Sequence, residues 1–144
     1  MPTIDSQLLG IYKKTVFWVK DFNQRLVRFS SRTAARLPFL KKKKFAVLTA
    51  WNPMNRVLSL RTNRAYNRRL ESDLKKTGYY FYKTTGSWQK HLEESYTVEG
   101  ISERRAAALG AKYRQYAILY NDHRGVRFIR CPGRQKKPAK ASRP

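Results

Sequence analysis

Asn52, Asn63 and Asn67, with Glu94 and Ser95, are the residues of this chain whose types and spacing could do chemistry on a small polar ligand. On a helix beginning near Leu60, Asn63, Asn67, Leu70 and Leu74 fall at i, i+4, i+7 and i+11, one stripe whose first half is amide where packing alone would call for leucine. Asn52 leaves an apolar stretch within Trp51-Asn52-Pro53. The three amides can therefore converge at a strand end, where they either read a ligand or satisfy buried backbone. Glu93-Glu94-Ser95 borders a β-branched and aromatic stretch, so alternation turns one of the two glutamates inward. A carboxylate buried among amides has a raised pKa and can serve as base or anchor. Beside an arginine it is an ion pair, which is the favoured reading of Glu94. Trp51, Asn52, Asn63 and Asn67 are the ligand-binding candidates, and Glu94 and Ser95 the catalytic ones.

Other catalytic templates are missing. There is no P-loop, no GxGxxG, no HExxH and no paired-cysteine metal site, and His91 and His123 fall in expected loops without a ligand-spaced partner. No metal and no cofactor is expected, and a binding role is favoured over an enzymatic one. The lone Cys131 has no partner for an internal disulfide. It reads as a small strand-end residue rather than a nucleophile, which suits a reducing cytosol.

Charge is the dominant compositional feature. With 32 basic and 9 acidic residues the 144-residue chain carries +23, as expected of a protein that attracts polyanions. Six of the basic residues and none of the acids lie in residues 130–144, which leaves +17 on residues 1–129. Arg61, Arg64, Arg68 and Arg69 crowd the first turns of the long helix, where the helix dipole disfavours cations by a few tenths of a kcal/mol each, ~0.3 or more, so a phosphate is a reasonable counter-charge. Lys136 and Lys137 extend the basic character into the tail. The reading that follows is non-specific binding of RNA or DNA through phosphates. Two alternatives stand beside it: a small-ligand or enzymatic site at the amides and Glu94, and an interaction protein whose charge reflects a basic proteome.

The elements that would hold these residues can be read from periodicity. Thr15–Val19 and Leu26–Phe29 read as a hairpin, followed by a short helix limited by Pro38. Phe45–Trp51 is apolar on both faces and reads as a central strand. A helix runs from about Leu60, capped by Ser59, to Thr77-Gly78. Tyr79–Tyr82 is an aromatic strand that could stack bases or simply face the core, Thr84–Ser87 a turn or loop, and Glu94–Val98 a strand. Ser102 caps a second main helix over Glu103–Arg114 with Ala106, Leu109 and Tyr113 on its packing stripe, and Tyr116–Tyr120 and Gly125–Arg130 form a closing hairpin. The order ββ(α)βαββαββ defines an α+β fold, a mainly antiparallel mixed sheet with two principal helices packed on it. One domain spans residues 1–131, and residues 132–144 are expected to be a disordered basic tail. Nothing in the chain resembles a secretory leader or a membrane span, and a monomer is assumed.

Thr49-Ala-Trp-Asn-Pro53, Ser59 with Asn63, Asn67, Leu70 and Leu74, Glu93-Glu-Ser95, Gly100-Ile-Ser102, Leu109-Gly110 and Gln115-Tyr-Ala-Ile118 together resemble the small bacterial family catalogued as domain of unknown function 3293, over about residues 12 to 131. The resemblance implies one compact bacterial cytosolic domain. It also implies that Trp51-Asn52-Pro53, Asn63, Asn67, Glu94 and Ser95 form one site or one structural knot. The charge and the basic tail depart from the family pattern, so nucleic-acid binding is read from this chain's own residues.

Overall fold

A computed structural model describes residues 14–20, 26–30, 44–88 and 91–132. The expected short helix around Pro38 and the basic tail, with Lys136 and Lys137, lie outside the described residues.

Seven strands form one sheet: β1 Val16–Lys20, β2 Leu26–Ser30, β3 Phe45–Leu48, β4 Phe81–Trp88, β5 His91–Glu99, β6 Ala117–Asp122 and β7 Gly125–Arg130. Their order is β2-β1-β4-β5-β3-β6-β7, and every neighbouring pair is antiparallel. Two helices, α1 Leu60–Thr77 and α2 Glu103–Lys112, pack on this sheet in an α+β arrangement.

β3 sits between β5 and β6 because its residues are apolar in both directions. Ala46 and Leu48 join Leu70 and Leu74 of α1 and Ala106 of α2 in one core. Full burial of each such leucine stabilises by roughly 1.5–3 kcal/mol. Phe45 and Val47 point the other way and pack with Phe17, Phe29, Leu119 and Phe128. Phe17 and Phe128 come from strands near opposite ends of the sheet, so the sheet must curl to bring them into one cluster. The strand ends at Leu48, and Trp51 already belongs to the turn that follows.

Ser59 caps α1 by accepting from the Thr62 N–H at 3.1 Å, and Gly78, with φ 82°, closes it. Ser102 caps α2 in the same way through the Arg105 N–H.

Two expectations are corrected. Thr84–Ser87 is not a turn but the middle of the eight-residue strand β4. Gly86 is there for packing: a Cβ would lie 3.3 Å from the Phe17 ring across the β1–β4 ladder. Thr84 and Thr97 share a hydroxyl–hydroxyl bond of 2.7 Å inside the sheet. β4 and β5 pair out to Trp88 and His91, and His91 opens a strand rather than lying in a loop.

Candidate functional site

The segment from Ala50 to Ser59 connects β3 to α1, and three amides organise it. Asn52 takes a left-handed conformation (φ 45°), as does Met54 (φ 53°), which costs of order 1 kcal/mol or more for a residue with a Cβ. The surrounding bonds hold both in place. Asn63 Oδ1 accepts from the Asn52 N–H at 2.8 Å, and its Nδ2 donates to Asn52 Oδ1 at 2.7 Å. Asn52 Oδ1 also accepts from the Leu58 N–H at 3.0 Å, closing the loop on itself. One turn further along α1, Asn67 Oδ1 accepts from the Ala50 N–H at 2.8 Å and Nδ2 donates to the Glu94 carbonyl at 2.7 Å. Asn63 and Asn67 are almost fully buried. Their place on the packing stripe follows from this: each satisfies main-chain groups left open where β3 ends and β5 passes.

Alternation along β5 decides the fate of the two glutamates. Glu94 faces α1, and its Oε2 accepts from Arg64 Nε and NH2 at 3.2 Å, an exposed ion pair. Glu93 lies on the opposite face with Ser95 and lines a cavity of about 490 Å³. Trp51, Asn52 and Asn63 line the same cavity, so four of the six sequence candidates meet there, whereas Asn67 and Glu94 do not line it. Burial pushes the Glu93 carboxyl up to about 7.

A second recess, of about 630 Å³, opens on the other side of the same connecting segment. Arg56, Arg69, Lys112 and Arg114 converge on it beside Tyr66 and Tyr113. Its one lining carboxylate, Asp73, accepts from Lys112 Nζ at 2.8 Å and from the Tyr113 hydroxyl, and both hold its pKa below the usual carboxylate range. Arg114 is left-handed (φ 58°), and its carbonyl accepts the Met54 N–H at 2.7 Å. All three left-handed non-glycine residues among those described thus border one of the two recesses.

Of the arginines marked by the sequence, Arg61 and Arg68 point to solvent and make no ion pair among the described residues. Arg69 stacks over Tyr66 at 5.7 Å on the flank facing the cationic recess. The expected aromatic strand Tyr79–Tyr82 begins only at Phe81: Tyr79 and Tyr80 precede β4, Tyr80 exposed and Tyr79 accepting from Arg105, whereas Tyr82 within β4 donates to Glu99. Sequence reasoning missed Glu93, Arg56, Lys112 and Arg114. Period-two alternation pointed to one inward glutamate without saying which, and nothing local links residues 56, 69 and 114.

An antiparallel seven-stranded curled sheet bearing two helices, with a polar knot at the β3–α1 junction, defines a small α+β domain. Residues 48–118 match the model of the family described as Protein of unknown function (DUF3293), so the segment holding the knot, both helices and β4–β5 resembles that family. No curated protein and no solved structure matches the chain. Among the described residues no helix is long and apolar enough to cross a membrane.

Proposed function

We propose that this protein binds RNA or DNA through phosphates, without marked sequence preference, in the cytosol of a bacterium. The observation that carries the reading is the recess where Arg56, Arg69, Lys112 and Arg114 converge while its one acid is already engaged. With Lys112 held by Asp73, Arg56, Arg69 and Arg114 come together from α1 and two connecting segments without an acid among the described residues, and a polyanion removes their mutual repulsion and releases its own counterions. Arg61 and Arg68 continue the positive surface along the outer side of α1, so a strand lying in the recess would meet charge beyond it. Tyr66 and Tyr113 offer partly exposed rings at the same place, which single-stranded nucleic acid can use and duplex cannot. The buried Cys131 thiol is in no disulfide, which suits a reducing compartment.

The test is charge reversal. Arg61→Glu with Arg68→Glu, and separately Arg56→Glu with Arg114→Glu, should each weaken binding of a single-stranded RNA more than removal of residues 132–144 does. Each lost phosphate contact should lower the salt slope by about 1. Equal affinity of all variants would refute the assignment of the surface.

A further inference from the structure

Among the described residues the acids are almost all spoken for. Glu71 pairs with Lys75 and accepts from Tyr96, Asp73 binds Lys112, Glu94 binds Arg64, and Glu99 accepts from Tyr82. Glu103 and Asp122 share Arg124 and Arg127. The exception is Glu93, for which no hydrogen bond or ion pair exists among the described residues. In a chain with 32 basic residues this is informative, because a lysine or arginine within reach would pair with it.

The surroundings of Glu93 explain why none does. The cavity it lines contains no lysine and no arginine among the described residues, and the only other titratable lining group is His91, two positions away on β5. Every other element around the cavity contributes uncharged residues: Phe17 from β1, Gly86 from β4, Leu119 from β6, Phe128 from β7, and Trp51 with Asn52 from the junction. Gly86 lies directly across from Glu93 in the β4–β5 ladder, and the absence of a side chain there leaves room for the carboxylate and the Phe17 ring. At the mouth, Val57, Leu60 and Leu92 are 82%, 53% and 64% exposed, three of the four large exposed hydrophobic residues among those described. An apolar rim around a single unpaired anion is the complement of an apolar molecule with one positive end.

We propose that this cavity binds a small protonated amine with an apolar body, its ammonium group paired with Glu93 and its body against Phe17, Trp51 and Phe128. Aromatic residues suit a cation as well as an apolar chain. The protein's overall positive charge does not forbid this, since surface fields decay over about 10 Å at 0.1 M salt whereas the contact with Glu93 is direct. Pairing also favours the ionised carboxylate. A group held near neutrality by burial would thus give up its proton as the amine enters.

Titration of the full chain with 2-phenylethylamine and with hexylamine, each against the matching alcohol, tests the proposal. Calorimetry at pH 7 in buffers of different ionisation enthalpy reads binding and proton release together. At least one amine should bind, its alcohol should bind about tenfold to a hundredfold more weakly, and binding should release a fraction of a proton. Glu93→Gln should abolish the proton release and weaken the amine to the level of the alcohol. This variant removes a buried charge without a partner and so is expected to fold; a melting curve verifies it, and Glu93→Asp, which keeps the charge, should retain part of the affinity. Failure of both amines to bind at millimolar concentration would overturn the proposal, as would equal binding of amine and alcohol or undiminished amine binding by Glu93→Gln. Nucleic-acid affinity should be unchanged in Glu93→Gln, so this test and that of the cationic recess fail independently.

Discussion

Asn67 illustrates how a side chain that looks like chemistry in the sequence can be architecture in the fold. Its two amide bonds go to the Ala50 N–H and the Glu94 carbonyl, which join the end of β3 to the middle of β5. Leucine at this position would match the stripe but leave the Ala50 N–H without its partner, at about 1–3 kcal/mol, while the Glu94 carbonyl would keep only the Thr49 hydroxyl at 2.7 Å. Asn67→Leu is therefore expected to lower unfolding free energy by about 1–3 kcal/mol in a denaturant titration, and an unchanged midpoint would contradict the structural role. Glu93 behaves oppositely. Its carboxyl is raised from 4.5 to about 7 by burial, so below about pH 4.5 it is protonated in the folded and unfolded chain alike. Between about 4.5 and 7 the unfolded chain loses the proton while the folded chain keeps it. Stability contributed by this group thus falls as pH rises through that window, by at most about 3 kcal/mol. Relative to the wild type, Glu93→Gln should gain little in melting temperature below about pH 4 and clearly more at pH 8. Parallel pH profiles for the two proteins would rule out the buried carboxyl. The amide stripe was legible in the sequence because helical spacing alone creates it. The choice between Glu93 and Glu94 was not, since it depends on which face of β5 meets α1, a matter of pairing with β3 and β4.

The elements themselves were legible wherever a cap or a period marked them. Ser59 and Gly78 bound α1 and Ser102 opens α2, as the cap chemistry of the sequence requires. β4 was misread at Thr84–Ser87 because Thr, Gly and Ser are turn residues by composition, and only the Phe17 ring across the ladder shows what Gly86 is for. Gly110 in α2 is a parallel case. A Cβ there would overlap Cys131 Sγ and lie 3.0 Å from an Ile118 methyl, so the glycine lets α2 approach β6 and the residue after β7. Gly110→Ala should destabilise by about 1–3 kcal/mol despite alanine's better helix propensity. Combining it with Cys131→Ala should recover part of that loss, because the clash is mainly with the sulfur. Additive losses in the double variant would contradict the packing assignment. Burial pushes the Cys131 thiol up to about 12, consistent with a packing residue rather than a reactive one. Strand order had no local signal at all, since β1 pairs with β4 and β3 with both β5 and β6 across long separations.

For the molecule as a whole, the charge is the feature that demands a purpose. Ion pairing is concentrated in few places, with Arg124 and Arg127 on Glu103 and Asp122 forming the densest network, and the acids available elsewhere are few. Arg61 and Arg68 on the α1 surface and Arg56, Arg69 and Arg114 in the recess beside it have no acid partner among the described residues, and the fold brings residues 56, 69 and 114 together although the sequence keeps them apart. The affinity of the full chain for a single-stranded RNA of mixed sequence, measured from 50 to 200 mM salt, bears on this most directly. If the recess and the outer face of α1 engage about five phosphates, the logarithm of affinity should fall with a slope of about −3 to −4, roughly a hundredfold loss over that range, with little change between sequences. No retention of RNA at 50 mM salt, or an affinity indifferent to salt, would contradict phosphate binding as the purpose of the charge.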